Sequence, residues 1–185
     1  MKKNILLLSM IIIVAFIGYS LLTANQKKSE AFLNRYELQS LSVVEIINYL
    51  EQKTDEPLGF NASVTSTQLL LSDENDAVEL DLPTDLFYLS VAPFINQTHP
   101  CATHSLVTCT GELQNETLRV LITDSDTDEI ILDQDIVTSP KGFAGLWLPS
   151  GRNIEMTITY KGFVATKQLS TFEINDTCET TMQLS

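Results

Sequence analysis

Apolar and polar residues follow two different periods along this chain, and the change comes at Phe60. Before it, Val43, Ile46, Ile47 and Leu50 recur at i, i+3, i+4 and i+7, which places them on one face of a helix. Ser42 stands where an N-cap belongs. Glu45, three residues later, completes the Ser-x-x-Glu pattern of a capping box. Leu41 and Ile46 occupy the hydrophobic staple positions, and Pro57 and Gly59 lie beyond the helix end. Phe32, Leu33 and Tyr36 predict a shorter helix upstream, preceded by a polar, frayed stretch over Asn25 to Glu30.

After Phe60 the period shortens. Thr67 to Ser72 and Ala77 to Leu82 flank Asp73-Glu-Asn-Asp76, the pattern of a hairpin with a polar turn. Phe87 to Val91 predicts a strand ended by Pro93. Leu118, Val120 and Ile122 alternate with Arg119, Leu121 and Thr123, and Ile130 to Leu132 follows an acidic turn. Phe143 to Leu148 runs into Pro149-Ser-Gly151. Ile154, Met156, Ile158 and Tyr160 alternate strictly with Glu155, Thr157 and Thr159, and Gly162 marks a further turn. Short strands at this spacing predict a β-sandwich. The expected fold is therefore α+β: a small N-terminal helix-plus-hairpin module over residues 26–95, packed on a C-terminal antiparallel β-sandwich over 96–185. No Pro- or Gly-rich linker separates the two.

Residues 1–24 have the order of an export signal: Lys2-Lys3, an apolar run from Ile5 to Ile17, then small residues, with cleavage expected after Ala24. The alternative is an uncleaved anchor, since Ile5 to Leu22 comes close to the length of a span. Either way the chain is expected outside the cytoplasm, in a periplasmic or other extracytoplasmic setting where disulfides persist. Asn61, Asn96, Asn115 and Asn175 begin Asn-x-Ser/Thr sequons, which the bacterial-looking start makes chance occurrences. Without the first 24 residues, 9 Lys and Arg face 24 Asp and Glu. That acidity excludes nucleic acid as a partner and favours attraction of cations.

The three cysteines cannot all pair within one chain. His99-Pro-Cys101-Ala-Thr-His104-Ser-Leu-Val-Thr-Cys109 gathers both histidines of the chain and two of its cysteines; Cys178 stands far downstream. Thiolate and imidazole together suit zinc or copper, and thiolate above all suits Cu(I). The chain has no Cys-x-x-Cys, no His-Glu-x-x-His and no Gly-x-Ser-x-Gly, so a thioredoxin-type dithiol, a zinc ribbon and a serine hydrolase are disfavoured. The bland alternative is one structural disulfide plus a buried inert thiol, in an extracytoplasmic binding or scaffold domain without metal chemistry. Asp124-Ser-Asp126-Thr-Asp128 resembles the start of a calcium loop, but Glu129 replaces the glycine such a loop needs at its sixth position, and an acidic hairpin turn is expected instead. Trp147 is expected in the core.

Several segments carry a family likeness. Phe87-Tyr-Leu-Ser-Val-Ala-Pro93, the His99-x-Cys101-x-x-His104-Ser-Leu-x-Thr-Cys109-x-Gly-Glu-Leu113 run, Gly142-Phe-x-Gly-x-Trp-Leu-Pro149 and Thr177-Cys178-x-Thr-Thr-x-Gln-Leu184 resemble the CueP family of periplasmic copper-resistance proteins. The resemblance implies copper bound through Cys101, Cys109 and Cys178, with His99 and His104 on matching positions and zinc or iron less favoured. It also implies reduction of Cu(II), a cupric-reductase activity, and delivery of copper to an exported superoxide dismutase. A homodimer through the N-terminal module is a further expectation of the likeness. Within that frame, Cys109 and Cys178 are expected to form the disulfide, Cys101 to be the exposed capturing thiol, and His104 to recruit Cu(II). The segment from Cys101 to Cys109 must then fold back on itself.

Overall fold

The computed structural model describes residues 26–185; the expected signal and its cleavage after Ala24 lie outside them. Contacts divide the chain into one unit ending at Ser40 and a second spanning Leu41–Ser185. In the first unit, residues 26–35 form helix α1, so the stretch expected to be frayed is helical from residue 26. The helix closes with paired reversals, Leu38 N–H to the Leu33 carbonyl and Glu37 N–H to the Asn34 carbonyl, around Glu37 at φ 60°. This is the Schellman arrangement, with glutamate where glycine usually stands. The Tyr36 ring lies 4.9 Å from that of Phe32.

The second unit begins with α2 (Val43–Gln52). Its capping box is formed: Ser42 Oγ accepts from Glu45 N–H at 3.3 Å and Glu45 accepts from Ser42 N–H at 2.7 Å. Ile46, Ile47 and Leu50 are buried as the spacing predicts, and Glu51 is buried with them. Ser42→Ala should lower stability by about 1 kcal/mol in a urea melt, as an N-cap loss does; no change would mean that α2 is held by its packing alone.

Three sheets follow. β1 (Asn61–Val64), β2 (Gln68–Ser72) and β3 (Ala77–Asp81) form an antiparallel meander. Asp73 Oδ1 accepts from the Asn75 and Asp76 amides and closes the polar turn of the expected hairpin. β4 (Leu86–Val91) lies in a separate sheet, described below. β5 (His104–Ser105) joins the free side of β1, with His104 opposite Val64. The second sheet, in the order β10-β9-β6-β7, uses β6 (Thr117–Asp124), β7 (Ile130–Val137), β9 (Asn153–Tyr160) and β10 (Phe163–Ser170). The third places β4 between β8 (Ala144–Pro149) and β11 (Cys178–Glu179), β8 antiparallel and β11 parallel to it.

One core fills the space between the second and third sheets. Phe87, Leu89 and Val91 of β4 and Leu146 and Leu148 of β8 meet Leu118, Val120 and Ile122 of β6 and Ile154, Met156 and Ile158 of β9. This is the sandwich that the alternating strands predict. β4, which lies before the division expected at residues 95 and 96, takes both its partners, β8 and β11, from beyond it. A strand buried on both faces, as β4 is, belongs in the middle of a layer and not at the edge of a separate module.

The acidic run forms the β6–β7 turn as expected. Asp124 Oδ1 accepts from the Asp126 and Thr127 amides, and its other oxygen faces Arg152 at 3.2 Å. Trp147 is half-buried, not enclosed. Its ring lies 5.1 Å from that of Tyr88, and its Nε1–H donates to Asn48 of α2 at 3.0 Å. Among the described residues no helix is long and apolar enough to cross a membrane.

Candidate metal centre

The chain reaches the site along the loop between β4 and β6. Glu112 anchors its start: the carboxylate accepts the backbone N–H groups of Ile95, Asn96 and Gln97 and the Asn96 side-chain amide. These donors, the Asn96 backbone foremost, hold its pKa down to about 2. A depressed carboxylate pKa contributes stability that is complete above the unfolded value of about 4.5 and is lost as pH falls toward 2. Urea midpoints taken through that window should therefore fall more steeply for the wild type than for Glu112→Gln. Parallel curves would show that the anchor contributes nothing.

Beyond Glu112's partners the loop carries His99, Cys101, His104 and Cys109. The backbone carbonyl of Ala102 accepts N–H groups from both Thr177 (3.0 Å) and Cys178 (3.2 Å). This strap brings the tail strand beside Cys101, and the two sulfurs are joined as the Cys101–Cys178 disulfide, Cα–Cα 5.6 Å. Thr177 ties the same corner to the first sheet, since its Oγ1 donates to the Val64 carbonyl and accepts from His104 N–H at 3.2 Å. His104 is thereby fixed at the end of β1, 1 % exposed.

From Ser105 the chain turns back at once. Ser105 Oγ accepts from the Val107 and Thr108 amides, and Cys109 N–H returns to the Ser105 carbonyl. The reversal expected between Cys101 and Cys109 is therefore a single tight turn. It leaves Cys109 as the free thiol, half-buried, with Sγ 3.6 Å from Cys101 Sγ and accepting from Ser105 N–H at 3.4 Å. The expected pairing of Cys109 with Cys178, and the role of Cys101 as the uncombined thiol, are both corrected by this geometry. The Ala102 strap delivers Cys178 to Cys101, whereas the Ser105 turn aims Cys109 at the imidazole.

Burial raises the Cys109 pKa, but interactions with His104 and the Ser105 amide outweigh it, so the thiol sits below its ordinary value. Burial likewise disfavours the charged His104 ring, and contact with Cys109 and Glu51 reverses the balance upward. Two residues that the sequence reading did not single out complete the arrangement. Glu51 of α2, 4 % exposed, places Oε2 3.0 Å from His104 Nε2 and accepts the Tyr88 hydroxyl at 2.8 Å. Burial and the Glu51 charge hold the Tyr88 phenol far above its usual pKa, so it remains a donor. The available signal was the placement of Glu51 itself, an acidic residue one turn after Ile47 on the apolar face of α2.

The donor atoms fall into two sets, each within 4.8 Å: His99, Cys101 and Cys109 at the half-buried side, and His104, Cys109 and Cys178 deeper in. All five residues expected to bind metal are thus brought together, and Cys109 belongs to both sets. Sulfur and imidazole at this spacing fit a soft monovalent or borderline divalent ion, once reduction frees Cys101 and Cys178.

A family model described as the periplasmic copper-binding protein CueP matches residues 43–183. The chain belongs to the CueP family. The match spans α2, all three sheets and every donor of the centre. A solved structure described as the crystal structure of S.CueP superposes with a TM-score of 0.81 at 36 % identity, covering 85 % of this chain and 98 % of the other. No curated protein matches the sequence closely. The α+β sandwich is thus the fold of the family, copper is its metal and the periplasm its compartment.

Proposed function

We propose that this chain is an exported copper-resistance protein that binds Cu(I) through Cys101, Cys109 and Cys178 and reduces Cu(II) by thiol–disulfide chemistry. The observation that carries the reading is the convergence of three sulfurs and two imidazoles on one corner of a fold from a periplasmic copper-binding family. His99 and His104 suit the capture of Cu(II), because imidazole accepts the oxidised ion, and the thiolates suit its reduced product.

The step balances as follows. The thiols of Cys101 and Cys178 lose two protons and two electrons in forming their S–S bond, and two Cu(II) ions become two Cu(I). Cys109 stays reduced throughout, because its partner sulfur is bonded to Cys178, and with an imidazole it retains a soft ligand for one product ion. This assigns the unpaired cysteine the part of holder and the disulfide pair the part of electron donor. Delivery of that copper to an exported superoxide dismutase, and a homodimer through residues 26–95, belong to the same reading.

Reduced protein mixed with Cu(II) in the presence of a Cu(I)-specific chelator should yield about two Cu(I) per disulfide formed, a ratio set by the two electrons of the couple. The double variant Cys101→Ser, Cys178→Ser, which leaves one thiol per chain, should abolish that yield. Full yield from it would overturn the assignment. A scaffold domain without metal chemistry would instead retain no Cu(I) after reduction.

A further inference from the structure

We infer that Glu51 and Tyr88 are positioning residues that commit His104 to bind metal through Nδ1. The inference rests on the copper reading above and concerns residues outside the donor set.

A buried carboxylate is costly unless it is hydrogen-bonded, and an apolar residue at the same place serves packing at least as well. Glu51 nevertheless is buried on α2 together with Ile46, Ile47 and Leu50. Its Oε2 receives the Tyr88 hydroxyl at 2.8 Å and lies 3.0 Å from His104 Nε2. That oxygen already accepts the Tyr88 hydroxyl, and its approach to Nε2 occupies the ring nitrogen on the α2 side, so a metal reaches the imidazole through the other nitrogen. An imidazole hydrogen-bonded to a carboxylate through Nε2 presents Nδ1 as its ligating atom. That nitrogen lies 3.7 Å from Cys178 Sγ, inside the deeper donor set.

The support continues outward. Gly145, opposite Ser90 on the neighbouring strand, makes room for the phenol: a Cβ there would stand 2.6 Å from the Tyr88 hydroxyl. The Tyr88 ring packs on Trp147, whose indole N–H is tied to Asn48 on the same helix as Glu51. Two strands and α2 therefore hold one carboxylate against one imidazole nitrogen, the device by which metal-binding histidines are commonly oriented.

Nitrogen-15 spectra of the reduced, metal-free protein in alkaline buffer should place the His104 proton on Nε2. Competition with a Cu(I) chelator should show Glu51→Gln binding about 10- to 100-fold more weakly than wild type, the usual loss when such an outer partner is removed. Because an amide both donates and accepts, the Glu51→Gln spectrum should also show a mixture of the two ring tautomers. Tyr88→Phe keeps the carboxylate and should lose less affinity while retaining the Nε2 proton. A wild-type proton on Nδ1 overturns the inference, as does unchanged Cu(I) affinity in folded Glu51→Gln. Should that variant not fold, the wild-type spectrum and Tyr88→Phe decide. A wild type that holds no Cu(I) overturns the copper reading, and this inference with it, wherever the proton sits.

Discussion

Cys109→Ser should weaken Cu(I) binding by the reduced protein more than about 100-fold, since loss of an outer-shell partner alone already costs 10- to 100-fold. No other donor belongs to both sets of converging atoms, so its removal leaves each set one sulfur short. The same substitution leaves the Cys101–Cys178 bond intact, which separates loss of a ligand from loss of the fold. Chelator competition on the reduced variant and wild type measures the difference. A fall of less than tenfold would mean that Cys101 and Cys178 hold the ion without it, and that the free thiol is a bystander.

The second large effect is on stability. The Cys101–Cys178 bond spans a sequence separation of 77 residues, and closing a loop of that length stabilises a fold by about 4 kcal/mol through the entropy of the unfolded chain. Reduction, or the double substitution Cys101→Ser and Cys178→Ser, should therefore lower the unfolding free energy by about that amount in a denaturant titration. A loss below about 1 kcal/mol would show that the Ala102 strap and the parallel pairing of β11 hold the tail without the bond. Copper bound by the reduced form, on the proposed reading, should act in the opposite direction. Free Cu(I) at about 1,000 times its dissociation constant returns about 4 kcal/mol, because it binds the folded state alone. The reduced protein should thus be the weaker fold when metal-free and regain the difference when loaded. The double serine variant should regain far less.

Much of this was readable in residue order. The capping box at Ser42 and Glu45 and the alternation from Ile154 to Tyr160 are local signals, and both elements appear where the periods place them. The gathering of His99, Cys101, His104 and Cys109 within eleven residues marked the centre without any fold. β5 and β11 escaped because two residues carry no periodicity, yet these short strands bring His104 and Cys178 to the site. β10 escaped for another reason: Phe163 and Val164 lie half in solvent, so its apolar residues do not alternate with burial. The disulfide pairing depended on backbone hydrogen bonds at Ala102, which no side-chain pattern announces. Glu51 was hidden by its type. A glutamate near a helix end reads as solvated, and only the partners waiting in β4 and β5 make it a buried acceptor.

The order in which the sulfurs occur along the chain has a consequence for how the protein matures. If the chain is exported from its N-terminus, as proposed, Cys101 and Cys109 would reach the oxidising side while Cys178 still lay behind the membrane. The two early thiols are eight residues apart, and in the finished fold their sulfurs stand 3.6 Å from each other. The first bond open to them is the one the native protein lacks. Reaching the final pairing then takes one displacement at Cys101 by the late-arriving Cys178, with Cys109 as the leaving thiolate.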